Sequence, residues 1–370
     1  MPEPELTALL RDRIRRDGPL PFVQFMDTAL YHPGAGYYEH TSIGRARDFY
    51  TSTSTGGLFG KLLAFQFSAW LNPPPPGPVS LVEVGAHDAR LAADILEWLA
   101  ANRPELCPNL RYTILEISPT RQTWQQRRLE KFAGFVEWRR EPAELAGGSV
   151  HGVIFSNELL DAFPVHRLGW DSPARRWFEW GVGWREERFV WERLGPVSAA
   201  LAEEAELAGL AMPAELLAVL PDGFTIELSP AARRWWKTAA TSLAQGWLLT
   251  LDYGLTAEEL FHPQRADGTL RSYRQHRLNP DVLAQPGAQD LTAHINFTQL
   301  QRAGEEAGLR THGLFSQAEF LTQIARQTWT PSSGFGGWTP AVVRQFQTLT
   351  HPNHLGRAFK VLVQERSARL

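Results

Sequence analysis

Polar groups at the ends of two apolar runs are the first sign of chemistry in this chain. A turn containing Gly85 follows residues 79–84, and the carboxylate Glu116 lies near the end of residues 111–117. The glycine lets the backbone turn tightly and lets a ligand approach the strand end. The carboxylate can accept hydrogen bonds from both hydroxyls of a ribose. Together these positions favour a nucleoside-binding site over an ordinary turn and a helix-capping carboxylate.

More polar residues follow the apolar run of residues 152–156. They are the amide Asn157 and the carboxylates Glu158 and Asp161. Ligands of open α/β sheets bind at the carboxyl ends of the strands, so this composition indicates a substrate-binding position. The alternative is an ordinary helix N-terminus, where asparagine caps the helix and carboxylates favour its dipole.

The sequence lacks the motifs of several other kinds of site. The turn after residues 79–84 has no Gly-x-Gly-x-x-Gly pattern, which argues against a bound pyrophosphate. The chain has no P-loop and no nucleophile elbow. No residue spacing is typical of zinc ligands, so no metal site is predicted.

The polar positions require a sheet whose strands lie side by side. Apolar runs alternate with helix-like segments, a pattern typical of a doubly wound α/β sheet. The four runs cover residues 79–84, 111–117, 135–138 and 152–156. A proline-rich stretch at residues 73–78 marks a boundary before the first of them.

The regular alternation stops after residue 170. Tryptophan and phenylalanine alternate with charged residues over 170–194, which predicts a hairpin with Gly181 or Gly183 near its turn. Three further strands are predicted at residues 224–228, 247–251 and 359–363.

Composition excludes several classes of protein. The chain has 370 residues, 43% of them hydrophobic and 21% charged, as in ordinary globular proteins. A net charge of -3 argues against a nucleic-acid partner. No apolar run approaches the roughly 18 residues that span a bilayer, so no membrane insertion is expected. The single cysteine, Cys107, fits a reducing compartment, and the chain is predicted to be cytoplasmic. The oligomeric state is left open.

The sequence resembles the MidA-type methyltransferases, a family that includes the mitochondrial arginine methyltransferase needed for respiratory complex I assembly. The shared positions follow one another in family order along nearly the whole chain. They are Gly18–Phe22, Ala29–Pro33, Gly36–Tyr38, Asp48, Phe49, Thr51, Leu58–Gly60, Glu116, Ser118, Pro119, Asn157, Glu158, Asp161, Ala162, Pro164, Asp252–Gly254, Gly268–Arg271, Tyr273, His276, Asp290–Thr292, His294 and Phe297.

The resemblance implies an α/β fold, the Rossmann-like class I methyltransferase fold. We expect a seven-stranded, mostly parallel sheet with a helical N-terminal cap and an inserted α+β segment. Residues 1–72 are expected to form the cap and to contribute to the active site. Residues 78–370 are expected to form the core, with insertions at about 170–221 and 255–290.

The resemblance also implies S-adenosyl-L-methionine as cofactor. Glu116 is expected to hold the ribose, and Gly85 and Ala86 to line the cofactor. The full set of expected cofactor-binding residues is Glu83, Gly85, Ala86, His87, Glu116, Ile117 and Asn157.

The implied acceptor is an arginine of another protein. A guanidinium has a pKa above about 12 and is a poor nucleophile when fully delocalised. Carboxylates can hold it in a bidentate pair, concentrate electron density on one nitrogen and receive the released proton. We expect Glu158 and Asp161 to do this. Asn157, Asp48 and His294 are further catalytic candidates.

The sequence departs from the family pattern on the cofactor and acceptor sides. His87 and Ala89 stand where the family has glycines, Ser54 lies in a segment that has lost a glutamate, Lys61 stands where an acid is common, and Asn296 replaces an aspartate. The departures at His87, Ala89 and Ser54 favour one alternative, a catalytically silent assembly or interaction factor. A second alternative is a small-molecule methyltransferase, because the acceptor cannot be identified from sequence.

Overall fold

A computed structural model describes most of the chain. The described residues are 5–40, 51–73, 77–145, 147–210, 212–274, 277–330 and 333–367. Contacts between Cα atoms divide the chain into two compact units, both discontinuous in sequence. Unit 1 comprises Met1–Phe49, Leu160–Arg233 and Gly254–Leu300, and unit 2 comprises Tyr50–Leu159, Arg234–Tyr253 and Gln301–Leu370.

The described residues form α-helices and β-strands throughout the chain. The helices are α1 Glu5–Asp17, α2 Phe22–Tyr31, α3 Tyr37–His40, α4 Leu58–Trp70, α5 Arg90–Asn102, α6 Pro119–Arg128, α7 Ala199–Leu207, α8 Ala214–Val219, α9 Pro230–Ser242, α10 Ala257–Leu260, α11 Phe297–Glu306, α12 Gln317–Gln327, α13 Pro340–Thr350 and α14 Leu355–Ala358. The strands are β1 Leu20–Pro21, β2 Val79–Val84, β3 Leu110–Leu115, β4 Val136–Arg139, β5 Val150–Asn157, β6 His166–Asp171, β7 Arg176–Arg185, β8 Arg188–Pro196, β9 Thr225–Leu228, β10 Leu243–Leu255, β11 Arg271–Arg274, β12 Arg277–Asn279, β13 Asp290–Thr292, β14 Ile295–Asn296, β15 Arg310–Ser316 and β16 Phe359–Arg366.

Unit 2 is built on a sheet with the strand order β15-β16-β10-β5-β2-β3-β4. The pairs from β10 to β4 are parallel, whereas β16 is antiparallel to both of its neighbours. Near-continuous apolar runs such as that of β2 are typical of parallel strands covered on both faces. The prediction of a mostly parallel sheet is therefore confirmed.

The predicted count of seven strands omits β14. This two-residue strand pairs in parallel with Gly254 and Leu255, the last residues of β10, so eight strands are connected by hydrogen bonds. A two-residue strand carries no detectable periodicity, which is why the sequence did not reveal it.

Helix α5 covers β2 and its neighbours through an apolar stripe. The stripe consists of Leu91, Ala92, Ile95, Leu96 and Leu99, all buried. Helix α4 packs closely on α5 at Gly60, where an added Cβ would lie 2.5 Å from Cβ of Asp94. This packing holds the turn between β2 and α5 against the core of unit 2.

Unit 1 contains two antiparallel sheets. One has five strands, in the order β1-β7-β6-β9 with β8 paired to β7, and the other has the order β12-β11-β13. Helix α2 buries Phe22 and Phe25 against the β7–β8 hairpin. Their ring centroids lie 4.9 Å from Trp191 and 5.3 Å from Phe189, respectively. The aromatic residues of the hairpin thus belong to the core of unit 1.

The predicted hairpin is present, but the prediction of its turn was wrong. Glu186 and Glu187 form the turn, with φ of 47° and 57°. Gly181 and Gly183 lie within β7 instead. An added Cβ would lie 2.7 Å from the carbonyl of Leu20 at Gly181 and 2.1 Å from the Glu192 carboxylate at Gly183. Close approach of neighbours, rather than a turn, explains both glycines.

Two features are absent from the described residues. None of the described helices is both long and apolar enough to cross a bilayer. No group of three or more histidine, cysteine, aspartate or glutamate side chains in the described part of the chain could hold a metal ion.

Candidate functional site

The turn between β2 and α5 has a left-handed backbone at three positions. The φ angles are 71° at Gly85, 47° at His87 and 58° at Ala89. The positive φ favours glycine at position 85, and an added Cβ there would lie 2.7 Å from Cδ1 of Leu159, which would have to move. His87 and Ala89 hold a conformation that glycine adopts more readily. The turn therefore keeps the backbone expected of a glycine-rich loop.

His87 and Ala86 complete this turn. The Ala89 amide donates to the carbonyl of Ala86 at 2.7 Å, which closes it. The His87 side chain is 34% exposed, and its Nδ1 lies 3.9 Å from Oδ1 of Asp88. Asp88 accepts hydrogen bonds from the Arg90 amide and the Arg128 guanidinium. The imidazole is thus only partly enclosed.

Glu83, the residue before the last in β2, is a buried acid. It accepts a hydrogen bond of 2.6 Å from the Tyr112 hydroxyl. Burial raises the pKa of the Glu83 carboxyl to about 7, and the Tyr112 hydrogen bond opposes that shift. Glu83 therefore exchanges a proton near neutral pH.

Glu116 and Ile117 follow β3 and differ sharply in exposure. Glu116 is buried, and its two carboxylate oxygens accept from the Ser118 amide and from Nε2 of Gln125, both at 3.0 Å. Ile117 is 54% exposed. A carboxylate has about four acceptor positions, so these two bonds leave room for ribose hydroxyls.

Asn157 and Glu158 end β5 with a strained backbone. Glu158 has a φ of 52°, a conformation that is rare for a glutamate. Its Oε1 accepts from the Ser52 amide at 3.3 Å and from Nδ2 of Asn157 at 3.2 Å. The buried Oδ1 of Asn157 accepts no hydrogen bond from the described residues. Backbone strain and an unsatisfied buried acceptor are both typical of binding sites.

Asp252 fixes this strained segment. It is fully buried, and its carboxylate accepts from the Leu159 amide at 3.1 Å and the Tyr253 amide at 2.7 Å. The Glu158 amide donates to the Leu251 carbonyl at 2.9 Å. Asp252 therefore positions the segment of Glu158 and Leu159 within unit 2.

Asp161 lies in unit 1, where its carbonyl accepts from the Ala293 amide at 2.9 Å. The neighbouring Ala162 carbonyl accepts from the Tyr31 hydroxyl at 2.9 Å. Tyr38 donates to Oδ1 of Asp290 at 2.9 Å. Burial, reinforced by the charges of Asp290 and Asp161, raises the pKa of Tyr38 well above its ordinary value. Tyrosines and acids distant in sequence thus lie together in unit 1.

His294 also lies in unit 1 and is neutral at pH 7. Burial, with smaller contributions from Arg265 and Arg271, lowers the pKa of His294 to about 4. Its amide donates to the Thr269 hydroxyl at 3.0 Å, and Thr269 donates in turn to the buried carboxylate of Glu227.

Two departures from the family pattern have structural explanations. Ser54 forms a capping box with Thr51 at the start of a short 3-10 helix, and its hydroxyl accepts from the Thr51 amide at 3.1 Å. Glutamate favours this same capping position, which explains the exchange. Asn296 accepts from the Gln299 amide at 3.1 Å, as an N-cap does, and both asparagine and aspartate cap helices well.

The structure groups the predicted site residues by unit. Most of the set lies in unit 2, at the carboxyl ends of β2, β3 and β5. These residues are Glu83, Gly85, Ala86, His87, Glu116, Ile117, Asn157 and Glu158. Asp161 and His294 lie in unit 1. Asp48 and His276 fall outside the described residues.

Sequence reasoning missed Ser52 and Gln125. Ser52 donates through its backbone amide, so its side chain gave no signal. Gln125 lies within a polar helix that contains several glutamines and arginines, and only the fold distinguishes it from them.

The chain is similar to a family of methyltransferases and to several curated proteins. The family model described as "Putative S-adenosyl-L-methionine-dependent methyltransferase" matches residues 61–315. The curated "Protein arginine methyltransferase NDUFAF7 homolog, mitochondrial" of Drosophila melanogaster is 26% identical, with 96% of this chain and 84% of that protein covered. The human protein arginine methyltransferase NDUFAF7, also named as mitochondrial, is 28% identical, with 87% and 74% covered.

A solved structure is similar over the entire chain. It is a COG1565 superfamily member from Burkholderia thailandensis bound to S-adenosylhomocysteine. The sequences are 31% identical, the TM-score is 0.83, and the alignment covers 100% of this chain and 96% of the other.

The expectation of a cytoplasmic protein is contradicted by these relatives. The Drosophila, rat and human proteins are all named as mitochondrial. The single cysteine indicated a reducing environment, but that criterion does not distinguish one reducing compartment from another.

Proposed function

Because the chain belongs to the family of S-adenosyl-L-methionine-dependent methyltransferases and uses S-adenosyl-L-methionine as its cofactor, we propose that it methylates arginine side chains of a protein. The resemblance to the MidA-type enzymes is confirmed, and the α/β methyltransferase fold with it. Relatives named as protein arginine methyltransferases support the choice of acceptor.

The residues at the ends of β2, β3 and β5 suit the cofactor. Glu116 holds the ribose, and the exposed Ile117 contacts the adenine. Gly85, Ala86 and His87 line the methionine end, Glu83 supports that turn, and the unsatisfied Oδ1 of Asn157 offers a hydrogen-bond acceptor. When bound, the cofactor supplies an electrophilic methyl group.

Glu158 is the group that acts on the acceptor in this proposal. The observation that carries it is the φ of 52° at Glu158, with a carboxylate fixed by two hydrogen bonds. A carboxylate held in one position can pair with a guanidinium in a defined orientation, and this localises electron density on one nitrogen. It can then receive the proton that the methylated nitrogen loses.

The proposal also includes further catalytic candidates and the parts of the chain that form the active site and the core. Asp161 is the second candidate carboxylate, and Asn157, Asp48 and His294 are further catalytic candidates. His294, with its pKa of about 4, would act in neutral form. The hydrogen bond from Ser52 to Glu158 supports a contribution of residues 1–72 to the active site. The seven strands from β15 to β4 would form the methyltransferase core, with the remaining segments as cap and insertions.

The test combines methyl transfer with cofactor binding. The purified chain is incubated with labelled S-adenosyl-L-methionine and a protein extract of its source organism. Label is measured in the macromolecular fraction and identified as methylarginine after acid hydrolysis. We expect Glu158→Gln to lower this incorporation by about 10²- to 10⁴-fold, the range for loss of a general base. Binding of S-adenosylhomocysteine, measured by calorimetry, should stay within about twofold of wild type.

A matched control is available in the hairpin turn. Glu186 also has a positive φ, of 47°, and its side chain is 86% exposed. Glu186→Gln should therefore leave methyl transfer unchanged. Equal activity of wild type and Glu158→Gln would refute the role of Glu158. Label found only in small molecules would favour the small-molecule alternative, and a wild-type chain that binds no cofactor would favour the silent one.

A further inference from the structure

Gln125 is an exception within its helix. Helix α6 is strongly polar, with the sequence Pro-Thr-Arg-Gln-Thr-Trp-Gln-Gln-Arg-Arg, and Gln125 is its one buried residue. Its exposed fraction is 0%. A helix that covers a sheet normally buries apolar side chains. A fully buried amide in that position requires an explanation from its partners.

All three hydrogen-bonding groups of the Gln125 amide are used. Nε2 donates to the His87 carbonyl and to Oε2 of Glu116, each at 3.0 Å. Oε1 accepts from the indole nitrogen of Trp138 at 2.9 Å. Only one orientation of the amide is compatible with these partners, since the His87 carbonyl and a carboxylate accept only and the indole donates only.

These partners lie on one strand and just after two others. His87 belongs to the turn after β2, Glu116 follows β3, and Trp138 lies on β4. Gln125 therefore connects the turn expected to receive the methionine end of the cofactor with the carboxylate expected to hold its ribose. The hydrogen bond from Gln125 to the Glu116 carboxylate is shielded from solvent, because both residues are buried.

We propose that Gln125 is a positioning residue for the adenosyl cofactor, which orients the Glu116 carboxylate and fixes its distance from the turn at His87. This inference rests on the cofactor part of the proposed function, not on the role of Glu158. Gln125 acts through Glu116 and the His87 backbone.

The first test is a double-mutant cycle on binding of S-adenosylhomocysteine, measured by calorimetry. Gln125→Leu keeps the bulk of the side chain but removes both donors. We expect it to raise the Kd by about tenfold or more, which corresponds to loss of a hydrogen bond to a charged group. In a Glu116→Gln background the same substitution should change the Kd by less than about threefold, because the carboxylate is no longer present to be oriented.

The second test separates positioning from simple packing. Gln125→Glu places a second carboxyl group against Glu116, and two adjacent carboxylates cannot both ionise easily. Binding should then depend on pH. At about pH 5 a protonated carboxyl can still donate to Glu116, although not also to the His87 carbonyl, and at about pH 8 the Kd should be higher than at pH 5 by tenfold or more. Loss of packing alone would not produce this pH profile.

Gln126→Leu is the control, since Gln126 is exposed on the same helix. Its Kd should match that of the wild type. Additive effects of Gln125→Leu and Glu116→Gln, or a pH-independent Kd for Gln125→Glu, would overturn the proposal. If Gln125→Leu does not fold, the profile of Gln125→Glu decides the question. Failure of arginine methylation would leave these binding results unaffected, so the two proposals can fail separately.

Discussion

The two units collect their polar groups in different ways. In unit 2 the residues proposed to hold the cofactor follow β2, β3 and β5, three strands that are neighbours in a parallel sheet. In unit 1 the Tyr38–Asp290 pair joins positions 252 residues apart, and Tyr31 bonds to a carbonyl 131 residues away. Regular strand ends form the first group, whereas the second joins residues of helices α2 and α3 to residues 161, 162 and 290, which are distant in sequence.

Each unit also contains a titratable group whose pKa is shifted by burial, and the two groups differ in kind. Unit 2 buries an acid, Glu83, against a tyrosine hydroxyl, and its pKa rises to about 7. Unit 1 buries a base, His294, and its pKa falls to about 4. In both units burial favours the neutral form, but the consequences for pH dependence have opposite signs. One physical cause, desolvation, therefore gives the stability of the two units opposite dependences on pH.

The largest expected effect concerns Glu83. Its folded pKa of about 7 lies above the ordinary value of 4.5, so the folded chain holds a proton that the unfolded chain has lost. This contribution to stability is complete below pH 4.5 and is lost as the pH rises to 7. Glu83→Gln should remove the loss, on the order of 3 kcal/mol at pH 8. Urea unfolding at pH 5 and pH 8 measures it, and an equal effect of the substitution at both pH values would contradict it.

The matching prediction for unit 1 has the opposite sign. The folded pKa of His294, about 4, lies below the ordinary 6.5, so the unfolded chain binds the extra proton. This contribution to stability is present above pH 6.5 and is lost as the pH falls to 4, by roughly 2–3 kcal/mol. His294→Gln should flatten that part of the unfolding free energy profile. Between pH 4.5 and 6.5 the two groups oppose each other in the wild type, so the single variants are needed to separate them.

The next largest expected effect is on cofactor affinity, which a substitution in unit 2 should lower and one in unit 1 should not. Glu116→Gln removes a buried charged acceptor at the end of β3, and we expect the Kd for S-adenosylhomocysteine to rise by about 10- to 100-fold. Asp290→Asn in unit 1 should leave that Kd unchanged. Calorimetry on both variants tests the distinction. A weaker complex with Asp290→Asn than with Glu116→Gln would show that unit 2 does not hold the cofactor.

The smallest expected effect is at Ala89. Its φ of 58° is strained for alanine and open to glycine. Ala89→Gly should relieve that strain, but it also increases the entropy of the unfolded chain, so the net change in the free energy of unfolding should stay within about 1 kcal/mol. A similar or slightly lower Kd for S-adenosylhomocysteine is expected, and thermal unfolding with calorimetry measures both. A loss of binding would mean that the methyl group at position 89 supports the turn.

The sequence alone was sufficient for the four parallel strands β2, β3, β4 and β5 of unit 2 and for most of the polar residues that follow them. The four apolar runs all became strands, with ends shifted by at most two residues. The reason is local: a buried parallel strand must be apolar along its length, and a polar residue just after it must lie at the carboxyl end of the sheet. The positions of Gly85, Glu116 and Glu158 follow from this rule.

Only the tertiary structure decided the contacts that give these residues their properties. The periodicity of α6 does not distinguish Gln125 from Gln126, because burial depends on which face meets the sheet. The left-handed backbone at Glu158 carries no residue signature, since glutamate rarely adopts it. The pairing of Tyr38 in α3 with Asp290 in β13 depends on long-range packing, because 252 residues separate the two positions. Local physics therefore determined the strands and their ends, and long-range packing determined which side chains meet there.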